Sequence, residues 1–218
     1  MTKYIASIAV ILIFASTSGI CGSNPDSTGN TRQYYSGMVG FYAPSDGLNN
    51  GLLLGVDGIT EFKHYNFFLS LALDAYFKQT FSIFDNPQPG GGQPPDVSQQ
   101  QMILLPIHLN YGYKLAEVAD ADTRVYAGAG VGYYLYFYSA TYAASSSGSL
   151  LGGVGSSQSS DSKSGGALFA SIFARVVINK IFVEPRYYFA AKSNDALGGY
   201  AYTVNPTGFA ITLGVQYH

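Results

Sequence analysis

The residues best able to do chemistry in this chain stand inside apolar runs. In "ARVVINKIFVEPR", residues 174–186, Arg175, Glu184 and Arg186 interrupt large aliphatic and aromatic side chains. Asp57, Glu61, Asp74, Lys78, His108, Lys114 and Arg124 interrupt other runs in the same way. Arginines and carboxylates so placed could line an ion path, or they could form an internal salt-bridge network that only fills space. Catalytic patterns are missing beside them. "GAGVG", residues 128–132, lacks the glycine spacing of a dinucleotide fingerprint and runs into tyrosines where a helix is needed. No Ser-centred nucleophile elbow, HExxH pattern or carboxylate pair of catalytic spacing occurs. Of the 3 histidines, His218 is terminal, His64 falls in a turn, and His108 has Asn110 nearby but no serine neighbour. A lipid-modifying hydrolase is therefore the least favoured reading. No catalytic residue, metal ligand or cofactor is expected.

The elements that hold these charges read as strands. Apolar residues alternate with others over about 34–44, 50–62, 65–79, 101–115, 123–141, 166–178, 181–192 and 207–217. A period of two over such lengths marks strands, not helices. Ile181, Val183, Pro185, Tyr187 and Phe189 fall on one face of the seventh run, opposite Phe182, Glu184, Arg186 and Tyr188. The third run sets Phe67, Leu69, Leu71, Leu73, Ala75 and Phe77 against Phe68, Ser70, Ala72, Asp74, Tyr76 and Lys78. With Asn179-Lys180 as a two-residue hairpin turn, Ile178 meets Ile181 and Arg175 falls opposite Glu184. Phe173 then faces Arg186 on that side, and the other interrupting charges share the same inward parity. Pro106 and Pro185 lack a ladder donor, so a bulge or imperfect pairing is expected near each.

Composition says which solvent this architecture meets. Only 11% of the 218 residues are charged and the net charge is -2, which suits neither nucleic acid nor an acidic partner. The start, "MTKYIASIAVILIFASTSGICG", has a basic n-region, a short apolar core and small residues, the plan of an export signal. A transmembrane anchor is the alternative, and Cys21 could be a lipidation site, although Ile20 fits poorly before it. The expected division is a signal at 1–22, a flexible leader at 23–33 and a barrel at 34–218. No later run reaches eighteen apolar residues, so helical spans are excluded.

The gaps alternate in length. Long, Pro/Gly/Ser-rich stretches occupy 80–100, 141–166 and 192–206, whereas "KH", "AEVADAD" and "NK" join the runs between them. Only "PSDGLNN" breaks the pattern by being short. An even strand number with long loops at one end and short turns at the other marks an outer-membrane barrel. Eight strands make its small member, an all-β, antiparallel, up-and-down transmembrane barrel. A soluble lipocalin-like barrel alternates in the same way with its apolar face inward. The scarcity of charge and the glycines Gly128, Gly130 and Gly132 on one face favour lipid outside. Tyr34, Tyr35, Tyr111, Tyr113, Tyr133 and Tyr217 are then expected in interfacial belts. The interior network is expected to contain Arg175, Glu184, Arg186, Asp74, Lys78, Asp57 and Arg124.

"MILLPIHLNYGYKL" (102–115) followed by "RVYAGAGVGYYLYF" (124–137) resembles the central part of the PorT-like outer-membrane β-barrel family. "FVEPRYYF" (182–189) is similar to that family's next-to-last segment, with Pro185 where a small residue is more usual. The resemblance implies an eight-stranded barrel in the outer membrane, without assigned activity. Its expected partners are the bilayer and a surface ligand met through the loops, with no nucleic acid, the chain acting as a monomer. A narrow channel for ions or small solutes is the alternative function.

Overall fold

The structure, a computed structural model, describes residues 30–45, 50–78, 97–118, 121–142, 159–197 and 200–217. The expected export signal at 1–22, Cys21 and most of the expected leader lie outside the described residues, as do the central parts of the 80–100 and 141–166 gaps. Strands β1 (Thr31–Pro44), β2 (Gly51–Phe62), β3 (Phe67–Lys78), β4 (Val97–Val118), β5 (Thr123–Tyr142), β6 (Ser159–Ile178) and β7 (Ile181–Ala190) follow in order. A short hairpin, β8 (Ser193–Leu197) and β9 (Tyr200–Val204), precedes the last strand, β10 (Gly208–Tyr217). Eight of these strands close a barrel in the order β1-β10-β7-β6-β5-β4-β3-β2, every neighbouring pair antiparallel. Closure joins the chain's first and last strands from Tyr35↔Tyr217 to Pro44↔Gly208.

The alternation of the sequence becomes an inside-out distribution. Leu168 is 71% exposed and Val131 63%, whereas Arg175 and Glu184 are each 1% exposed. Water would reverse both values; a hydrocarbon solvent outside the wall does not. On β10 the outward positions Phe209, Ile211, Leu213, Val215 and Tyr217 are all exposed. They span about 26 Å along the strand at ~3.3 Å per residue. At a tilt of about 40° that is roughly 20 Å across the membrane, close to the apolar band of such barrels. Inside, space is short. A Cβ on Gly128 would stand 2.2 Å from the Tyr111 carbonyl oxygen and 2.5 Å from Phe173 Cζ.

The prolines interrupt pairing without shifting it. The β3–β4 register steps from Leu73↔Ile107 to Tyr76↔Leu104, omitting two pairs around Pro106, while Pro106↔Tyr134 holds on the β5 side. The β6–β7 register steps from Phe173↔Arg186 to Val176↔Val183 around Pro185, and Ile211↔Pro185 holds on the β10 side. Each proline lacks a donor toward one neighbour only. The irregularities that do shift register lie in β4–β5, at Val97/Gln99 and Lys114/Ala116.

Four expectations need correction. Residues 159–166, read as loop, form the start of β6 and pair with β5 from Tyr142↔Ser159 to Leu135↔Gly166. Residues 97–100, also read as loop, are strand. The gap at 192–206 contains the β8–β9 hairpin, paired from Ser193↔Val204 to Leu197↔Tyr200. Tyr34, assigned to an outward belt, is 3% exposed and points into the lumen. Tyr35, Tyr111, Tyr113, Tyr133 and Tyr217 do face outward.

Candidate functional site

The polar interior is built by strand register. Each barrel strand contributes alternate residues to the lumen, and the β6–β7 turn sets two of them against each other. Asn179 takes a φ of 56° there, which asparagine tolerates. Counting from Ile178↔Ile181 places Arg175 level with Glu184. Arg175 Nε donates to Glu184 Oε2 at 2.7 Å, and its Nη2 donates to Asp57 Oδ2 at 2.8 Å across the lumen. The Ser36 hydroxyl donates to the other Asp57 oxygen. Arg186 Nε donates to Glu184 Oε1 at 2.9 Å, so one carboxylate holds two guanidinium groups.

From Arg186 the network continues across the barrel. Its Nη1 donates to Asn110 Oδ1 at 2.8 Å and to Ser171 Oγ at 2.9 Å. His108 Nδ1 lies 2.9 Å from Asn110 Oδ1 and His108 Nε2 2.9 Å from Asp74 Oδ2. The Tyr188 hydroxyl donates to that same Asp74 oxygen at 3.0 Å. Aromatic faces cover the cations: Arg175 Cζ is 4.4 Å from the Phe182 ring centroid and Arg186 Cζ 4.5 Å from that of Phe173. Such stacking is a natural partner for a planar, weakly hydrated guanidinium.

Two further tiers flank this one. Toward the short turns, Glu61 accepts from the Tyr34 hydroxyl and from Tyr126 at 2.9 Å, with Lys114 Nζ 3.6 Å and Arg124 Nη1 3.8 Å away. Toward the long gaps lies an aromatic tier. Tyr42 meets Tyr76 edge-on at 5.3 Å and Tyr188 at 5.6 Å, and its hydroxyl donates to the Pro206 carbonyl. The cavity among Tyr42, Tyr76, Tyr134, Phe169 and Tyr188 has a volume of about 10 Å³, roughly the room one water needs.

Of the residues singled out from sequence, Arg175, Glu184, Arg186, Asp57 and Asp74 come together in one connected tier. Arg124 sits apart, with Glu61. Lys78 ends β3 opposite Met102, and its side chain lies outside the described residues. Sequence reasoning placed Tyr188 and Asn110 beside these charges without giving them a role, and missed Ser36 and Ser171 here and Tyr126 at Glu61. Their inward parity was the available signal. His108, the histidine of this tier, is 2% exposed and touches Asp74, Asn110 and Arg186. Among the described residues no group of three His, Cys, Asp or Glu side chains could hold a metal ion.

No protein-family model matches the chain, and no curated protein matches it in sequence. Solved structures share its architecture. A major outer membrane protein from Thermus thermophilus aligns with a TM-score of 0.50 at 12% identity, over 85% of this chain and 100% of that one. Neisserial surface protein A aligns at 0.46 and 11% identity, over 85% and 97%. Ail of Yersinia pestis, solved with the heparin analogue sucrose octasulfate, aligns at 0.43 and 9% identity, over 86% and 98%. The Thermus likeness is one of fold. Together with the apolar outer wall and the polar lumen, it defines the class: an eight-stranded up-and-down transmembrane barrel, the fold of that outer membrane protein.

Proposed function

We propose that the barrel is a non-enzymatic platform, acting as a monomer, that carries its long-gap end outside the cell for envelope structure or for binding and adhesion. The observation that carries this reading is the uneven wall. β4 has 22 residues and β5 and β6 have 20 each, against 10 for β7 and β10. The excess lies at the long-gap end, where Asp161, Ser162, Lys163 and Ser164 are all exposed, both faces of the strand included. Strand that is exposed and polar on both faces belongs above a membrane, where water can meet both. Mild proteolysis of intact cells tests the orientation: cuts within 141–166 are expected, and cuts confined to the 63–66 and 179–180 turns would reverse it.

The PorT-like resemblance of 102–115, 124–137 and 182–189 supports the same reading. Residues 1–22 fit it as an export signal; amino-terminal sequencing of the protein from outer membranes should start after Gly19 or Gly22, and a start at Met1 would remove the signal. A narrow pore is the weaker reading, because the interior tiers pair across the lumen and the cavity above them holds about 10 Å³. Planar-bilayer conductance that responds to Glu184→Gln or Arg175→Gln would restore it.

A further inference from the structure

The apolar stripe of the outer wall is not equally tall all round. On β5 it covers seven alternate positions, from Val125 to Phe137, with Thr123 and Ser139 just beyond its ends. On β4 it covers six, from Ile103 to Tyr113, with the exposed Leu115 beyond. β6 has six from Leu168 to Ile178, and β3 six from Phe67 to Phe77. β2 has six from Leu52 to Phe62, interrupted by Gly58 and Thr60. β1, β10 and β7 have only five: Tyr35 to Ala43, Phe209 to Tyr217, and Ile181 to Phe189. Gln33 is exposed beyond the β1 stripe and Thr207 stands beyond that of β10. Lys180 lies at one end of the β7 stripe, with the small Ala191 and then Lys192 at the other.

The three short stripes are neighbours in the ring, and β5 and β4 stand diametrically opposite β1 and β10. At ~3.3 Å per residue and a tilt of about 40°, five positions cover roughly 20 Å of membrane and seven roughly 30 Å. The apolar band of such barrels is about 25 Å tall. The seam wall is therefore too short for that thickness and the opposite wall too tall. Hydrocarbon drawn over Gln33 or Thr207 would strip water from their polar groups. A bilayer avoids this by thinning beside a short stripe.

We propose that the wall of β7, β10 and β1 gathers phospholipids with short acyl chains, while β4 and β5 take longer ones. The surface continues the lipid-facing wall, so its occupant is lipid; the added property is a choice of chain length. The bilayer is then thinnest where the first and last strands meet. Tilting the whole barrel does not remove the mismatch, because a tilt raises or lowers a stripe without lengthening it. The preference is the same whichever end of the barrel faces outward, so it stands independently of the platform reading.

The test uses the full chain in phosphatidylcholine bilayers, with tryptophan as the probe, because the sequence contains none. Phe41→Trp and Phe209→Trp report the seam wall; Tyr111→Trp and Tyr133→Trp report the opposite wall. The native side chains are 44 to 49% exposed, so the four probes meet lipid alike. Each variant is placed in an equimolar mixture of a fourteen-carbon lipid and an eighteen-carbon lipid brominated at mid-chain, which quenches an indole it touches. In a control mixture of plain and brominated eighteen-carbon lipids, all four sites should be quenched in proportion to the mixing. In the mixed-length bilayer, contact with the long lipid is expected to be roughly twofold lower at the two seam probes than at the other two. Gln33→Leu, which lengthens the β1 stripe by one position, should bring Phe41→Trp toward the opposite wall and leave Tyr133→Trp unchanged. Either seam probe suffices if the other variant does not fold. Equal quenching at all four sites, or more at the seam than opposite, would overturn the proposal.

Discussion

The two faces of the β6–β7 hairpin obey different rules. Inward, Arg175, Glu184 and Arg186 are tied by hydrogen bonds of 2.7 to 2.9 Å, each to a particular atom. Outward, Ala174, Val176, Ile178, Ile181 and Val183 share one property, an apolar surface turned to solvent lipid. The inner face is specified by partners, the outer face by medium. Substitutions should therefore be judged inside by geometry and outside by polarity alone.

The largest break of that contrast is Arg175→Ala. It leaves Asp57 and Glu184 without their shared counter-ion, and losing one member of a buried ion pair costs about 3–5 kcal/mol. Urea unfolding in lipid vesicles measures this; a loss below about 1 kcal/mol, the range of exposed pairs, would mean that water reaches the tier. Next comes a charge on the other face. Ile172→Lys places an ammonium on the lipid side at mid-strand, at a cost of roughly 2–4 kcal/mol in the same assay. Gly128→Ala should cost about 1–3 kcal/mol, because its methyl meets the Tyr111 carbonyl and the Phe173 ring. Tyr188→Phe is the mildest. Asp74 Oδ2 keeps His108 and loses one donor, worth roughly 0.5–1.5 kcal/mol. If Ile172→Lys proved milder than Tyr188→Phe, the assignment of faces would be wrong.

Much of this was legible in the sequence because a barrel writes its fold as parity. All eight wall strands follow the two-residue alternation, and Asn179-Lys180 fixes one hairpin register by itself. The strand segments that escaped had no parity to read. The β8 and β9 strands are five residues each, too short for alternation to separate from chance. "SSDSKSGG" at 159–166 looks like linker; it is strand because β5 runs alongside and supplies its hydrogen bonds, a partner invisible locally. Tyr34 was misplaced because β1 carries aromatics on both faces, Tyr34 and Tyr42 inward, Tyr35 and Phe41 outward. Pairing decides between them: Tyr35 stands against the outward Tyr217, so Tyr34 turns inward.

The seam between β1 and β10 bears on the order of events in the cell. Residue 35 finds its partner at 217, so no truncated or half-made chain can seal its wall. Until β10 arrives, the edges of β1 and β7 present bare peptide groups, which hydrocarbon penalises by several kcal/mol each. Such a chain must stay out of the bilayer, in a water-compatible form, until β10 is in place. Membrane entry then falls late, after Gly208–Tyr217 has been made, and β10 acts as the timing element of assembly.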